Sequence, residues 1–198
     1  FGLKYNKDTL KIYPFQFEFQ IKYHLEDNKL TVEHTIINHG NDTMLFSLGG
    51  HPGFNCPIFK DEQYSDYYLE FEKPETAPTW NVLENGLIGN ETQPIFDEPN
   101  KINLHPHLFD KDALVFKNLN SSKVTLKSKR FDHVLSMDFK DFPYLGIWAK
   151  PNANYVCIEP WLGIADSIDS NRNFEDKEGI LSLESNKKFI ASYNIEIL

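Results

Sequence analysis

The stretch "FQFEFQIKYHLEDNKLTVEHTI", residues 15–36, decides the fold class. Phe15, Phe17, Phe19, Ile21 and Tyr23 alternate with Gln16, Glu18, Gln20, Lys22 and His24. Successive strand side chains point to opposite faces, so a period of two marks a half-buried β-strand. The alternation breaks at "EDNK" and resumes as Leu30, Val32, His34 and Ile36. Two such runs around a four-residue polar turn predict a β-hairpin. Further strand-like runs lie at 44–48, 67–72, 113–117, 123–128, 133–139, 144–149, 155–159 and 189–197. No amphipathic pattern sustains three helical turns. Many strands with Pro, Gly and Asn turns, and no strand–helix rhythm, predict an all-β fold, an antiparallel sandwich or barrel. No composition break splits the chain, so residues 1–198 read as a single domain.

Composition narrows the partners. Phe and Tyr number 16 and 9, which suits pleated, half-buried surfaces. The net charge of -9, with no basic cluster, argues against gripping a phosphate backbone, so no nucleic acid is expected. No apolar run approaches the ~20 residues of a membrane helix, so no membrane partner is expected either. Cys56 and Cys157 are the two cysteines, in no zinc pattern. Such low usage suits a reducing, cytoplasmic location, with a single disulfide left open. The chain begins "FGLKYN" without Met, from which a piece of a longer protein is expected. The segment 73–112 holds five of the eleven prolines and little periodicity. It reads as a long irregular connection of the kind that carries function.

Three places could carry chemistry. In "NYVCIEPW", 154–161, Glu159 continues an apolar run and Pro160 follows, so the strand is expected to stop there. A carboxylate there is either buried for a reason or already in solvent. In "GGHPGFNCP", 49–57, His51 sits among glycines and prolines, as a turn histidine or as a general acid or base, a role that suits histidine as a residue type. In "LHPHLFDKD", 104–112, His105 and His107 could be metal ligands, but spacing places no third ligand, and no metal is assigned. Asp110 and Asp112 in the same segment are solvent carboxylates or hydroxyl acceptors. Phe54, Trp148 and Trp161 are core aromatics or a stacking floor for a sugar.

"GGHPGFNCP" followed a hundred residues later by "YVCIEPWLGIADSID" resembles the aldose 1-epimerase (galactose mutarotase-like) superfamily, closest to its LacX-like branch. "LFDKDALVF", 108–116, is similar to that branch as well. The resemblance implies a large β-sandwich with a sugar cleft. The implied reaction interconverts the α and β anomers of a hexose with no metal and no cofactor. It makes His51 the general acid at the ring oxygen and Glu159 the general base at the anomeric hydroxyl. Asp110 or Asp112 would bind sugar hydroxyls, with Asn55 as a further acceptor and Trp161 in an aromatic floor. A homodimer is compatible with this reading.

Two departures stand out. No H-G-x-x-R motif precedes "FGLKYN", so the chain resembles the C-terminal two-thirds of a member. Gly53 stands where mutarotases carry Tyr, which leaves the galactose or glucose preference open. A non-catalytic carbohydrate-binding or regulatory protein of the same fold is the alternative.

Ring opening needs a proton removed from O1 while another reaches O5. An acid and a base do both, expected here on opposite sides of the sugar. Each transfer contributes about 10²–10⁴ in rate.

Overall fold

The computed structural model describes residues 1–197. Its strands in chain order are β1 (Gly2–Lys4), β2 (Phe17–Glu26), β3 (Lys29–Asn38), β4 (Met44–Phe46), β5 (Leu48–Gly49), β6 (Gly53–Asn55), β7 (Tyr67–Phe71), β8 (Thr79–Val82) and β9 (Ile88–Gln93). There follow β10 (Lys101–Asn103), β11 (Leu114–Phe116), β12 (Lys123–Ser128), β13 (Leu135–Asp138), β14 (Tyr144–Trp148), β15 (Tyr155–Leu162), β16 (Leu181–Leu183) and β17 (Lys188–Ile197). The one α-helix among the described residues is a single turn, α1 (Thr9–Ile12). All strand ladders are antiparallel, so the all-β prediction holds.

Two sheets enclose the main core. One has the order β1-β2-β3-β17-β13-β12-β7-β10, and the other β5-β15-β14-β11-β8-β9 with β6 also on β15. The pairing of Phe19 with Ile36, Ile21 with His34 and Tyr23 with Val32 puts both predicted alternations on one face. Phe71, Phe116, Leu126, Met137, Leu145 and Ile158 fill the space between the sheets. Alternate positions along a strand reach this core, which is why the period-two signal found most of the strands.

Three readings need correction. The hairpin turn is Asp27–Asn28 alone, because Glu26 pairs with Lys29. Asp27 takes a φ of 51°, which Asp tolerates and which lets so short a turn close. The segment 73–112 is no long irregular connection, since it carries β8, β9 and β10. β8 and β10 are short, β9 (IGNETQ) is exposed and polar beyond Gly89, and β8–β9 is interrupted by a register shift between Trp80 and Val82, so no apolar alternation marks them.

The third correction is that Pro160 does not end its strand, because β15 runs on to Leu162. Pro160 directs its carbonyl away from β14, accepting the Gly50 N–H at 2.9 Å. A strand residue points its N–H and C=O the same way, so the missing N–H of Pro160 leaves its pairing with Leu145 of β14 intact.

Candidate active site

β15 sets the site. On one side it pairs with β14, matching Tyr144 with Trp161, Gly146 with Glu159 and Trp148 with Cys157. On the other it pairs with β6 through Cys157–Gly53 and with β5 through Trp161–Gly49. Those two pairings share one register. Ile158, Glu159 and Pro160 therefore stand opposite Pro52, His51 and Gly50. Two backbone bonds hold this window, Gly50 N–H to the Pro160 carbonyl (2.9 Å) and Ile158 N–H to the Pro52 carbonyl (3.2 Å). The reciprocal bonds are missing, because neither proline has an N–H. His51 and Glu159 thus form the non-hydrogen-bonded pair between them, the position where cross-strand side chains come closest. Two prolines thin the ladder here and leave a histidine facing a glutamate.

His51 Nδ1 lies 3.4 Å from Glu159 Oε1, with side chains 62% and 7% exposed. The carboxylate is sunk in the sheet and the imidazole stands exposed above it. Burial raises the Glu159 carboxyl above its ordinary value, while the His51 charge and the Trp161 indole N–H pull it down. Cys157, one pleat along on the same face, is also buried. Burial, with Glu159 beside it, pushes its thiol up to about 11. Trp148 stands edge-on to His51, with ring centroids 6.5 Å apart.

Trp161 makes a floor because glycines let it lie down. A Cβ on Gly146 would sit 2.3 Å from Trp161 Cζ2, and one on Gly49 would sit 2.7 Å from Cδ1. No side chain fits beneath the indole at either position. The cleft above has a volume of about 510 Å³, within the ~300–1,000 Å³ of small-ligand sites. Val82, Ile88, Val115 and Ile164 give it an apolar wall, and Asp112 stands on its rim. Asp112 has φ 86°, with its own Oδ1 accepting the Ala113 N–H at 2.7 Å. A non-glycine residue in this region is strained, and such strain clusters at functional sites.

The structure therefore gathers His51, Glu159, Asp112 and Trp161 at one cleft. Asp110 and Asn55 do not line it. Asp110 turns its carboxylate to His107 Nδ1 at 2.9 Å, and both side chains are exposed. Asn55 is exposed at the end of β6, paired with Tyr155. His105 and His107 lie away from the cleft on the same surface turn. Sequence reasoning missed Cys157, Gly49 and Gly146. Stepping by two along β15 from Glu159 back to Cys157 would have found the thiol, but the glycine contacts depend on pairing between distant strands.

Residues 1–173 match the family described as aldose 1-epimerase. The chain belongs to the aldose 1-epimerase family. Within this family it is 34% identical to Protein LacX of Lactococcus lactis subsp. lactis, over the whole chain and 68% of that protein's length. A galactose mutarotase related enzyme from Lactobacillus acidophilus matches at 34% identity and a TM-score of 0.87, covering 100% of this chain and 67% of that one. A galactose mutarotase-like protein from Lactobacillus casei matches at 28% identity and a TM-score of 0.88, covering 100% and 69%. The galactose mutarotase-like sandwich and the LacX-like branch expected from the two motifs both stand. No helix among the described residues is long and apolar enough to cross a membrane.

Proposed function

We propose that the protein is an aldose 1-epimerase that interconverts the α and β anomers of a hexose by opening and reclosing its ring. The observation that carries this reading is the placement of His51 and Glu159 as cross-strand neighbours 3.4 Å apart beside an indole-floored cleft. Glu159 takes the proton from O1 as the ring opens, and His51 delivers one to O5. Rotation about C1–C2 and reclosure with the roles reversed give the other anomer. The acid and base stand side by side rather than on opposite faces of the sugar. That suits the reaction, because O1 and O5 are both bonded to C1, so adjacent groups reach both. The exposed imidazole swings aside to admit the anomeric end between them.

Trp161 offers its face to the apolar C–H surface of the ring, and Asp112 accepts sugar hydroxyls. The charged or titratable lining is His51, Asp112 and Glu159, and no lysine or arginine lines the cleft among the described residues. A phosphate would need such a cation, so an unphosphorylated hexose fits better.

The test is polarimetry of freshly dissolved α-aldoses with the full gene product. Equilibration should be faster with the protein and should lose its acceleration in Glu159→Gln. A variant as fast as wild type ends the mechanism. Saturable sugar binding with no rate effect would instead favour a non-catalytic carbohydrate-binding role.

A further inference from the structure

The proposed proton transfers use His51 and Glu159 but not the third group beside them. One ligand atom each from His51, Cys157 and Glu159 lies within 4.8 Å of the others. The three come from adjacent positions of one sheet face. Cys157 and Glu159 are alternate residues of β15, and His51 stands across from Glu159. Gly53 faces Cys157 with no side chain of its own, and a Cβ there would already lie 3.4 Å from Sγ. A thiol, an imidazole and a carboxylate make a borderline-soft donor set, one that suits Zn²⁺, Co²⁺ or Cd²⁺ and not Mg²⁺ or Ca²⁺.

We infer that His51, Cys157 and Glu159 form a three-ligand site for a thiophilic divalent cation, and that a cation seated there switches the epimerase off. A tetrahedral Zn²⁺ needs its donors roughly 3.5 Å apart, given metal–ligand bonds of about 2.0–2.3 Å. The His51–Glu159 pair already meets this at 3.4 Å, and a pair at the 4.8 Å limit would have to close by about an ångström. The exposed His51 ring is the ligand with most room to adjust, since Cys157 and Glu159 are both buried on β15. Binding displaces the thiol proton into solvent and leaves the fourth position open to the cleft. Inhibition follows because the cation occupies the nitrogen and oxygen that would move the sugar's protons. Only this inhibitory half rests on the proposed epimerase reading.

Co²⁺ titration of the reduced, chelator-treated full gene product tests the site without any sugar. A saturable thiolate-to-cobalt charge-transfer band is expected in wild type. It should vanish in Cys157→Ser, with Zn²⁺ affinity from competition with a chromophoric chelator falling by at least the ~10–100-fold that loss of a mere supporting partner of a ligand costs. His107→Gln should keep both signals. Absence of the band in wild type, or its survival in Cys157→Ser, overturns the site. In the rate assay, Zn²⁺ should slow wild type at the concentration where it binds. Binding without slowing overturns the inhibitory half. If metal-free protein does not accelerate equilibration at all, the epimerase reading fails while the cobalt spectrum still decides the site.

Discussion

Glu75 and Glu159 are equally buried, each 5% exposed, yet their surroundings differ in kind. Glu75 is filled by fixed backbone donors. Its Oε2 accepts the Asn120 N–H at 2.9 Å and its Oε1 accepts the Ser121 N–H at 2.7 Å. Glu62 is similarly occupied, by the Ser128 hydroxyl at 2.8 Å and by the Tyr67 hydroxyl. Glu159 faces a half-free imidazole and one indole N–H. A carboxylate saturated by backbone and hydroxyl donors holds loops in place. One left with a movable partner has lone pairs to offer a substrate.

The contrast fails if both kinds of carboxylate respond alike to mutation. Glu159→Gln keeps shape and burial but cannot take a proton. We expect its anomerisation rate to fall by about 10²–10⁴ while its melting temperature stays close to wild type. Glu75→Ala should do the reverse. It strips the acceptor from two amides, at about 1–3 kcal/mol for each left unsatisfied, and denaturant unfolding should report the loss. The surviving folded protein should turn over normally. A Glu159→Gln protein that unfolds early, or a Glu75→Ala protein that folds well and is inactive, would break the comparison.

The floor can be sharpened in the same way. Gly146→Ala puts a methyl carbon 2.3 Å from the Trp161 ring, so the indole has to lift. Overpacking of this kind costs about 1–3 kcal/mol, visible in the denaturation midpoint. Its kinetic effect should fall mainly on KM, since in the proposed mechanism the indole would support the sugar in the ground state and the transition state alike. A large drop in kcat at unchanged KM would mean that Trp161 does more than support the ring.

These outcomes depend on features that the sequence shows unequally. The alternation from Phe15 to Ile36 was legible because β3 buries Val32, His34 and Ile36 while β2 half-buries Phe17, Phe19 and Ile21, and a single strand carries that signal. His51 and Glu159 were legible through the motifs that hold them. Their being direct neighbours was not, because the register joining β5, β6 and β15 links residues about a hundred positions apart. Pro160 misled for a related reason. Whether a proline ends a strand depends on which neighbour its nitrogen faces, and that is a property of the sheet. Asp110 and Asp112 were indistinguishable as letters. Only the backbone turn at Asp112 puts one on the cleft rim and leaves the other with His107.

His34 supplies the smallest test, a buried titratable group with neither saturating donors nor a substrate to meet. Its Nδ1 has no hydrogen-bond partner. The rings of Phe19, Phe142 and Tyr193 surround it at 5.9, 6.1 and 5.7 Å between centroids. The titratable neighbour among them is Tyr193, whose hydroxyl burial pushes up to about 12, so it carries no charge to offset an imidazolium. Burial lowers the His34 pKa from its ordinary 6.5. Above pH 6.5 the ring is neutral in both states and contributes no slope. Below it the unfolded chain binds a proton that the folded chain resists, so stability falls with pH until the depressed folded value is reached. Each unit of depression removes about 1.4 kcal/mol across that window. Denaturant unfolding at pH 7.5 and at pH 5.5 should show wild type losing more stability than His34→Phe. Because every other titratable group is common to both proteins, the difference between them isolates this one ring. Equal losses would mean that His34 finds a partner for its proton inside the fold.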